Sequence, residues 1–244
     1  MRKSFWILAT LLPLLWVSCK KDPKGDPKPT DSTWTETTSW VDMGTGVLWA
    51  ARNLRAANEF EPGAYFAWGC TDCPKAGFYS WENYSHCNVK NGKPVFTKYN
   101  AAGNQALLPE DDIASLISEG RCRIPTPGEF IELLDHCNWE WIEGYVIPEL
   151  GITAQDGWGD PVNGYLCTSP STGNQLFFPA CGTGSDNGGV YYPGKMAGFW
   201  TDTQDADDKS LAKCFLFNKP ENQFGLSDME RCTGLSIRPV RAAE

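Results

Sequence analysis

Three features of the sequence predict an α+β domain of short antiparallel sheets, two helices and long loops. Short apolar runs bounded by Gly, Pro, Asn and Asp recur along most of the chain, as strands separated by turns do. Helical periodicity is confined to two segments near the middle, so the order is strands, helices, then strands, without alternating βαβ units. No repeat of solenoid period breaks that order, and residues 40–244 read as a single domain.

Residues 40–54 (WVDMGTGVLWAARNL) predict two short strands around a turn at Gly44–Gly46. Residues 63–69 (GAYFAWG), dense in aromatics, predict a third strand. Residues 70–108 are irregular, with turn signals at Asn91-Gly92 and Ala102-Gly103. A first helix is expected over Pro109–Ser118, where Glu110, Asp111 and Asp112 would complement the dipole of its first turn. The second follows from Thr126-Pro127-Gly128-Glu129, which places Thr at the N-cap, Pro at N1 and Glu at N3, the pattern of a capping box. Phe130, Leu133, Leu134 and Cys137 then recur at helical spacing and form one apolar face. Beyond Asn138 the runs NWEWI, NGYLCTS, NQLFFPA, GVYYP, GFWTDT, KCFLFN and GLSIRPVR predict strands.

The leader places the domain. Arg2 and Lys3 precede an apolar stretch from Phe5 to Val17, interrupted by Thr10 and Pro13. Its length is below the roughly 17–25 residues that span a bilayer, and its position suits a secretory signal peptide. The stretch ends in Leu15-Trp16-Val17-Ser18-Cys19, which resembles the lipobox of bacterial lipoproteins, although Trp16 departs from the usual small or aliphatic residue. That resemblance implies a signal peptide over residues 1–18 and lipidation (palmitate included) at Cys19. The partner so implied is a membrane, reached through the N-terminal lipid, and the expected location is the outer membrane, facing the cell surface or the periplasm. Residues 19–39, rich in Lys, Asp, Pro and Thr, are expected to be a flexible tether. Loss of residues 1–18 would take the formal charge from −9 to −11, since Arg2 and Lys3 leave with them. An acidic chain without a basic cluster beyond the tether argues against nucleic acid as a partner.

Nine cysteines follow Cys19, and in an oxidising compartment some are able to pair while the odd count leaves at least one free. Cys70-Thr71-Asp72-Cys73 has the spacing of a redox or zinc pair, but no second pair follows at knuckle spacing. A disulfide within this region, involving Cys87, or thiols packed as small apolar groups are the plainer readings.

The wording of several blocks is specific. Val41-Asp42-Met43-Gly44 with Trp49-Ala50, then residues 63–69, Lys98-Tyr99-Asn100, Arg123-Ile124-Pro125-Thr126, and Glu129-Phe130 with Leu133-Leu134 stand in one order. Phe178-Pro179-Ala180, Phe199-Trp200-Thr201 and Ser236-Ile237-Arg238-Pro239-Val240 complete it. Together they resemble the bacterial lipoprotein family called the Fibrobacter succinogenes major paralogous domain, over nearly all of residues 40–241. The resemblance implies a C-type-lectin-like fold, distantly akin to the formylglycine-generating sulfatase modifiers. It implies no reaction, and function has to be argued from the site.

No catalytic residue is expected. The formylglycine-generating group uses two closely spaced cysteines near the chain end to bind copper(I); here Cys214 and Cys232 are eighteen positions apart. His136 adjoins Cys137 on the second helix, but neighbouring helical residues diverge by about 100° and the cysteine falls on the core stripe. Neither a carboxylate pair of glycosidase type nor a Gly-rich phosphate loop is evident.

Binding is therefore the expected activity, of glycan or another surface ligand, with a protein-binding adhesin or structural surface component as the alternative and a formylglycine-generating-like oxidase behind both. Flat aromatic faces beside carboxylates and amides suit sugar rings. The Gly/Asn/Asp-rich loops supply them in Trp158, Asp160, Asp186, Asn187, Tyr191 and Tyr192. Trp200 and Asp202 join the set because Trp200-Thr201-Asp202 differs by one residue from the Trp-Asn-Asp strand that sugar-binding C-type lectins use with calcium. The partner loop of those lectins is missing, so no cofactor and no metal are expected. Calcium retains one route, the acidic stretch Asp202, Asp205, Asp207 and Asp208, for which a solvated loop is the plainer reading.

Overall fold

The computed structural model describes residues 32–72, 78–101, 103, 105–157 and 159–243. The leader with Cys19, Cys73 of the Cys-x-x-Cys pair, and Trp158 lie outside the described residues. Among the described residues the chain forms small antiparallel sheets with three short α-helices.

Helix α1 (Ser32–Thr37) precedes strands β1 (Trp40–Asp42) and β2 (Val47–Ala50). A hairpin of β3 (Cys87–Lys90) and β4 (Lys93–Phe96) follows, then helices α2 (Ile113–Ile117) and α3 (Pro127–His136). Strands β5 (Asn138–Ile142), β6 (Val146–Ile147), β7 (Ile152–Thr153), β8 (Gly164–Thr168) and β9 (Gln175–Pro179) come next. The chain continues through β10 (Thr183–Gly184), β11 (Val190–Tyr191), β12 (Met196–Gln204), β13 (Leu211–Asn218), β14 (Gln223–Glu230) and β15 (Val240–Ala242). The three-stranded sheets are β1-β2-β15, β5-β8-β9 and β12-β13-β14, so the last strand closes against the start of the domain through Val240 opposite Trp49.

The middle of the fold follows from the two-residue period of a strand. Phe199, Phe215 and Phe217 point into one apolar cluster with Trp49, Phe130, Leu133 and Phe178. Their neighbours Trp200, Cys214 and Leu216 point into another with Trp34, Trp68, Ile113 and Ile237. Sheet β12-β13-β14 is thus covered on both faces along β12 and β13, which is why these strands read as continuous apolar runs. Phe130 of α3 stacks on Phe215 at 5.2 Å between ring centroids.

Helix α3 forms as the sequence predicts: Thr126 accepts from the Glu129 amide at 3.2 Å, and the Glu129 carboxylate accepts from the Thr126 amide at 2.8 Å. Elsewhere the structure differs. The first predicted helix begins at Ile113 rather than Pro109, because Asp112 is its N-cap and accepts from the Ser115 amide at 3.0 Å. Asp111 is taken instead by Tyr99 and Lys98. The strand predicted over 63–69 reduces to a single bridge, Phe66 to Leu235. The irregular stretch 70–108 contains the β3–β4 hairpin, turning at Asn91-Gly92.

The start of the domain is also corrected. Residues 32–39, expected to be tether, are anchored: Trp34 is buried, its indole donates to the Asn53 carbonyl at 3.0 Å, and its ring meets Trp40 edge-on. Arg52 donates to the Thr37 and Thr38 hydroxyls as well, so a buried aromatic and a distant arginine hold a polar segment that a composition argument averages away.

Arg238, fully buried, ties the layers together. Its guanidinium donates to Asn53 Oδ1 (2.9 Å) and to the carbonyls of Ala50 (3.2 Å), Ala51 (2.9 Å) and Phe177 (2.8 Å), while lying 4.6 Å from the centroid of Phe178. Burial pulls its pKa down to about 9.

Candidate functional site

An open groove of about 1140 Å³ lies at the end of the β5-β8-β9 sheet. Trp141 and Glu143 from the end of β5, Asp156, Asp160 and Asn163, Val190 and Lys195, and Lys219 line it. A second depression of about 560 Å³ continues from it across Asp156, Pro161, Asn163, Val190, Pro193 and Gly194, and adds Phe60, Tyr65 and Cys181.

Local hydrogen bonds hold these walls. Asn163 accepts from the Gly144 amide at 3.0 Å and donates to the Gly194 carbonyl at 3.0 Å, so one side chain fixes two walls. The loop tip is a tight turn in which Asp156 accepts from the Asp160 amide at 3.0 Å and the Asp156 amide donates back to the Asp160 carbonyl at 2.8 Å. On the other side, Lys219 lies 5.5 Å from the centroid of Trp141, and the Lys219 amide donates to the Lys195 carbonyl at 2.9 Å. Trp141 packs edge-on against Tyr165, and its buried indole N–H has no hydrogen-bond partner among the described residues. The groove therefore brings an indole and the ammonium groups of Lys195 and Lys219 together with the carboxylates of Glu143, Asp156 and Asp160.

The residues singled out from the sequence divide among three places. Asp160 lines the groove and is exposed. Tyr191 and Tyr192, 45% and 61% exposed, sit at its rim between the lining residues Val190 and Pro193, with ring centroids 6.4 Å apart. Asp186 accepts from the Tyr191 hydroxyl at 2.9 Å, and that bond raises the Tyr191 pKa. Asn187 spends its side-chain oxygen inside its own loop, on Ser185 and the Gly189 amide. Trp200 belongs to the core: it is fully buried and donates to the Phe66 carbonyl at 2.7 Å, so no ligand reaches it. Asp202 lies apart from the tyrosines, its amide donating to the Pro125 carbonyl at 2.9 Å and its carboxylate accepting from Thr203 at 2.6 Å. Burial pushes its pKa up, against the pull of Thr203 and Arg123.

Sequence reasoning missed Trp141, Asn163, Lys195 and Lys219. The available signal was Trp141 in the alternating NWEWI run, where Trp139 and Trp141, two residues apart, share one face of the strand.

Among the described residues, no group of three or more His, Cys, Asp or Glu side chains is placed to hold a metal ion. In the acidic stretch after β12, Asp205 accepts from Lys213 at 2.6 Å and from the Asp207 and Asp208 amides, and these contacts pull its pKa down to about 2. Cys214 and Cys232 fall in separate apolar clusters. The His136 imidazole is exposed and bonds to the Glu132 carbonyl of its own helix at 2.9 Å, while Cys137 is buried. No helix among the described residues is long and apolar enough to cross a membrane.

Comparison of the chain with protein-family models, curated proteins and solved structures finds no match.

Proposed function

We propose that this chain is a lipid-anchored envelope protein of the Fibrobacter succinogenes major paralogous domain type, with a C-type-lectin-like domain that binds glycan and performs no catalysis. The observation that carries the binding reading is the groove itself. It offers an indole, ammonium donors and carboxylate acceptors within one open concavity, with an exposed tyrosine pair at its rim. A pyranose ring presents an apolar face of C–H groups and a girdle of hydroxyls, and those are the groups it would meet. The lectin-like reading is supported by the closure of β15 on β2, by two helices before the long-loop half, and by a groove built from those loops. Anchoring rests on the sequence ending at Cys19 and places the ligand outside the cytoplasm.

The test is capture on an array of bacterial and host glycans, with and without calcium. Asp160→Ala and Tyr192→Ala alter exposed side chains and should each weaken capture at least tenfold while the circular dichroism spectrum stays unchanged. Capture that survives both substitutions removes the groove from consideration.

A protein ligand is the second reading, favoured by the β6–β7 hairpin. It follows directly on Glu143 and Gly144 of the groove wall and exposes Val146, Leu150 and Ile152 by 50%, 65% and 55%. Scattered apolar exposure needs no explanation, but three aliphatics on one short hairpin suit a protein contact. A blank glycan array from folded protein favours this reading, and Leu150→Asp should then abolish recognition of the surface partner.

A further inference from the structure

Eight cysteines lie among the described residues, and all eight are free thiols. Seven of them have contacts with oxygen. Cys70 meets the Ser85 hydroxyl at 3.0 Å, Cys181 the Ser236 hydroxyl at 3.3 Å, and Cys87 donates to the Trp81 carbonyl at 3.2 Å. Cys122 and Cys214 donate to carbonyls at 3.6 Å, and Cys232 to the Glu230 carboxylate at 3.9 Å. Cys137 donates to the Met43 carbonyl at 3.9 Å, and it and Cys167 are set apart from the other six because each thiol also interacts with the other. Cys137 ends α3 one residue before β5, and Cys167 lies in β8 opposite Trp139, so the two are diagonal neighbours across the β5–β8 pair. Both belong to the same apolar cluster, with Cys167 fully buried and Cys137 9% exposed.

From this juxtaposition we infer that Cys137 and Cys167 form a disulfide when the chain folds in an oxidising medium, fastening the end of α3 to β8. The oxidant is a disulfide, of which oxidised glutathione is the simplest. A thiolate from one cysteine attacks it, forms a mixed disulfide and releases one glutathione thiol. The second cysteine then displaces the other glutathione. Two protein thiols lose two electrons and two protons, and one glutathione disulfide gains them as two thiols. In the folded state both thiols are buried and their pKa values are raised by that burial. Exchange therefore belongs to folding, before the cluster closes, and the finished bond is shielded from reductants. Such a bond stabilises chiefly by restricting the unfolded chain.

The experiment refolds the full chain in detergent from denaturant, once with reduced and once with oxidised glutathione. Free thiols are blocked in denaturant with an alkylating reagent, and the unreduced digest is read by mass spectrometry. The expected result is a linked pair of peptides carrying Cys137 and Cys167, present only in the oxidised sample, with a Tm roughly 5–10 °C above that of the reduced sample. Cys137→Ser should remove both the linked peptide and the Tm difference. Mapping on the unaltered chain is decisive even if that variant fails to fold. Alkylation of both cysteines in the oxidised, folded protein overturns the inference, as does linkage of either one to a different cysteine.

Discussion

Asp112 makes the stability of this domain depend on pH in a direction opposite to most carboxylates. Its side chain caps α2 and also accepts from the Ile124 amide at 2.9 Å, while only 6% of the residue is exposed. Burial raises its pKa from 3.8 to about 6; the amides of Ser115, Ile124 and Ala114 work against that rise, and the charge of Asp202 adds to it. The folded state thus holds this proton more tightly than the unfolded chain does. Between about pH 4 and 6 the unfolded chain releases the proton first, so stability falls as pH rises through that window and levels off above it. A difference of 2.2 in pKa (6 less 3.8) corresponds to about 3 kcal/mol at 1.36 kcal/mol per unit. Asp205 and Glu129, whose pKa values are lowered, act in the opposite sense and lose their contribution as pH falls toward and below 4. The assay is urea unfolding at half-unit steps from pH 4 to 7, for the wild type and for Asp112→Asn. The variant should show a much flatter profile from pH 4.5 to 6, with a residual slope from the raised pKa of Asp202. Profiles of equal slope would refute the argument, whatever the absolute stability of the variant.

Two further perturbations test the packing. Arg238→Met should cost roughly 3 kcal/mol in denaturant unfolding, because it removes four charge-assisted hydrogen bonds and leaves Asn53 Oδ1 without its donor; a change under about 1 kcal/mol would mean that the buried cation is dispensable. Gly234→Ala should cost about 1–3 kcal/mol. A Cβ there would lie 2.6 Å from the Tyr79 ring, which also rests on Gly184, and displacing the ring breaks the Tyr79 hydroxyl's 2.6 Å bond to the Tyr65 carbonyl. The change in Tm measures it, and Tyr79→Ala in the Gly234→Ala background should add less than it does alone.

Local rules carried far along this chain. The capping box determined α3, because Thr126, Pro127 and Glu129 satisfy each other within four residues and need no help from the rest of the fold. The apolar runs of β8, β9, β12 and β13 were legible because burial leaves its mark on every residue of such a strand. Strand β14 was not, since at the sheet edge its side chains are mostly half-buried and its composition is mixed. Trp34 in a polar stretch was missed because its partner, the Asn53 carbonyl, is distant in sequence, whereas Asp112 as a cap was missed although its partner, the Ser115 amide, is three residues away.

The candidate site divides in the same way. Tyr191, Tyr192 and Asp160 were found because glycine-rich loops expose what they carry. Trp200 was misplaced because a Trp-x-Asp string looks the same whether its ring faces solvent or the space between two sheets. By itself, the sequence determined the short strands with few helices, the capped helix and the residue types carried by the loops, all set by interactions within a few positions. Only the tertiary structure decided which tryptophan faces the groove, which lysines join it, and which two of eight thiols touch. Those outcomes depend on contacts between segments twenty or more residues apart, and no local pattern encodes which distant segment will arrive.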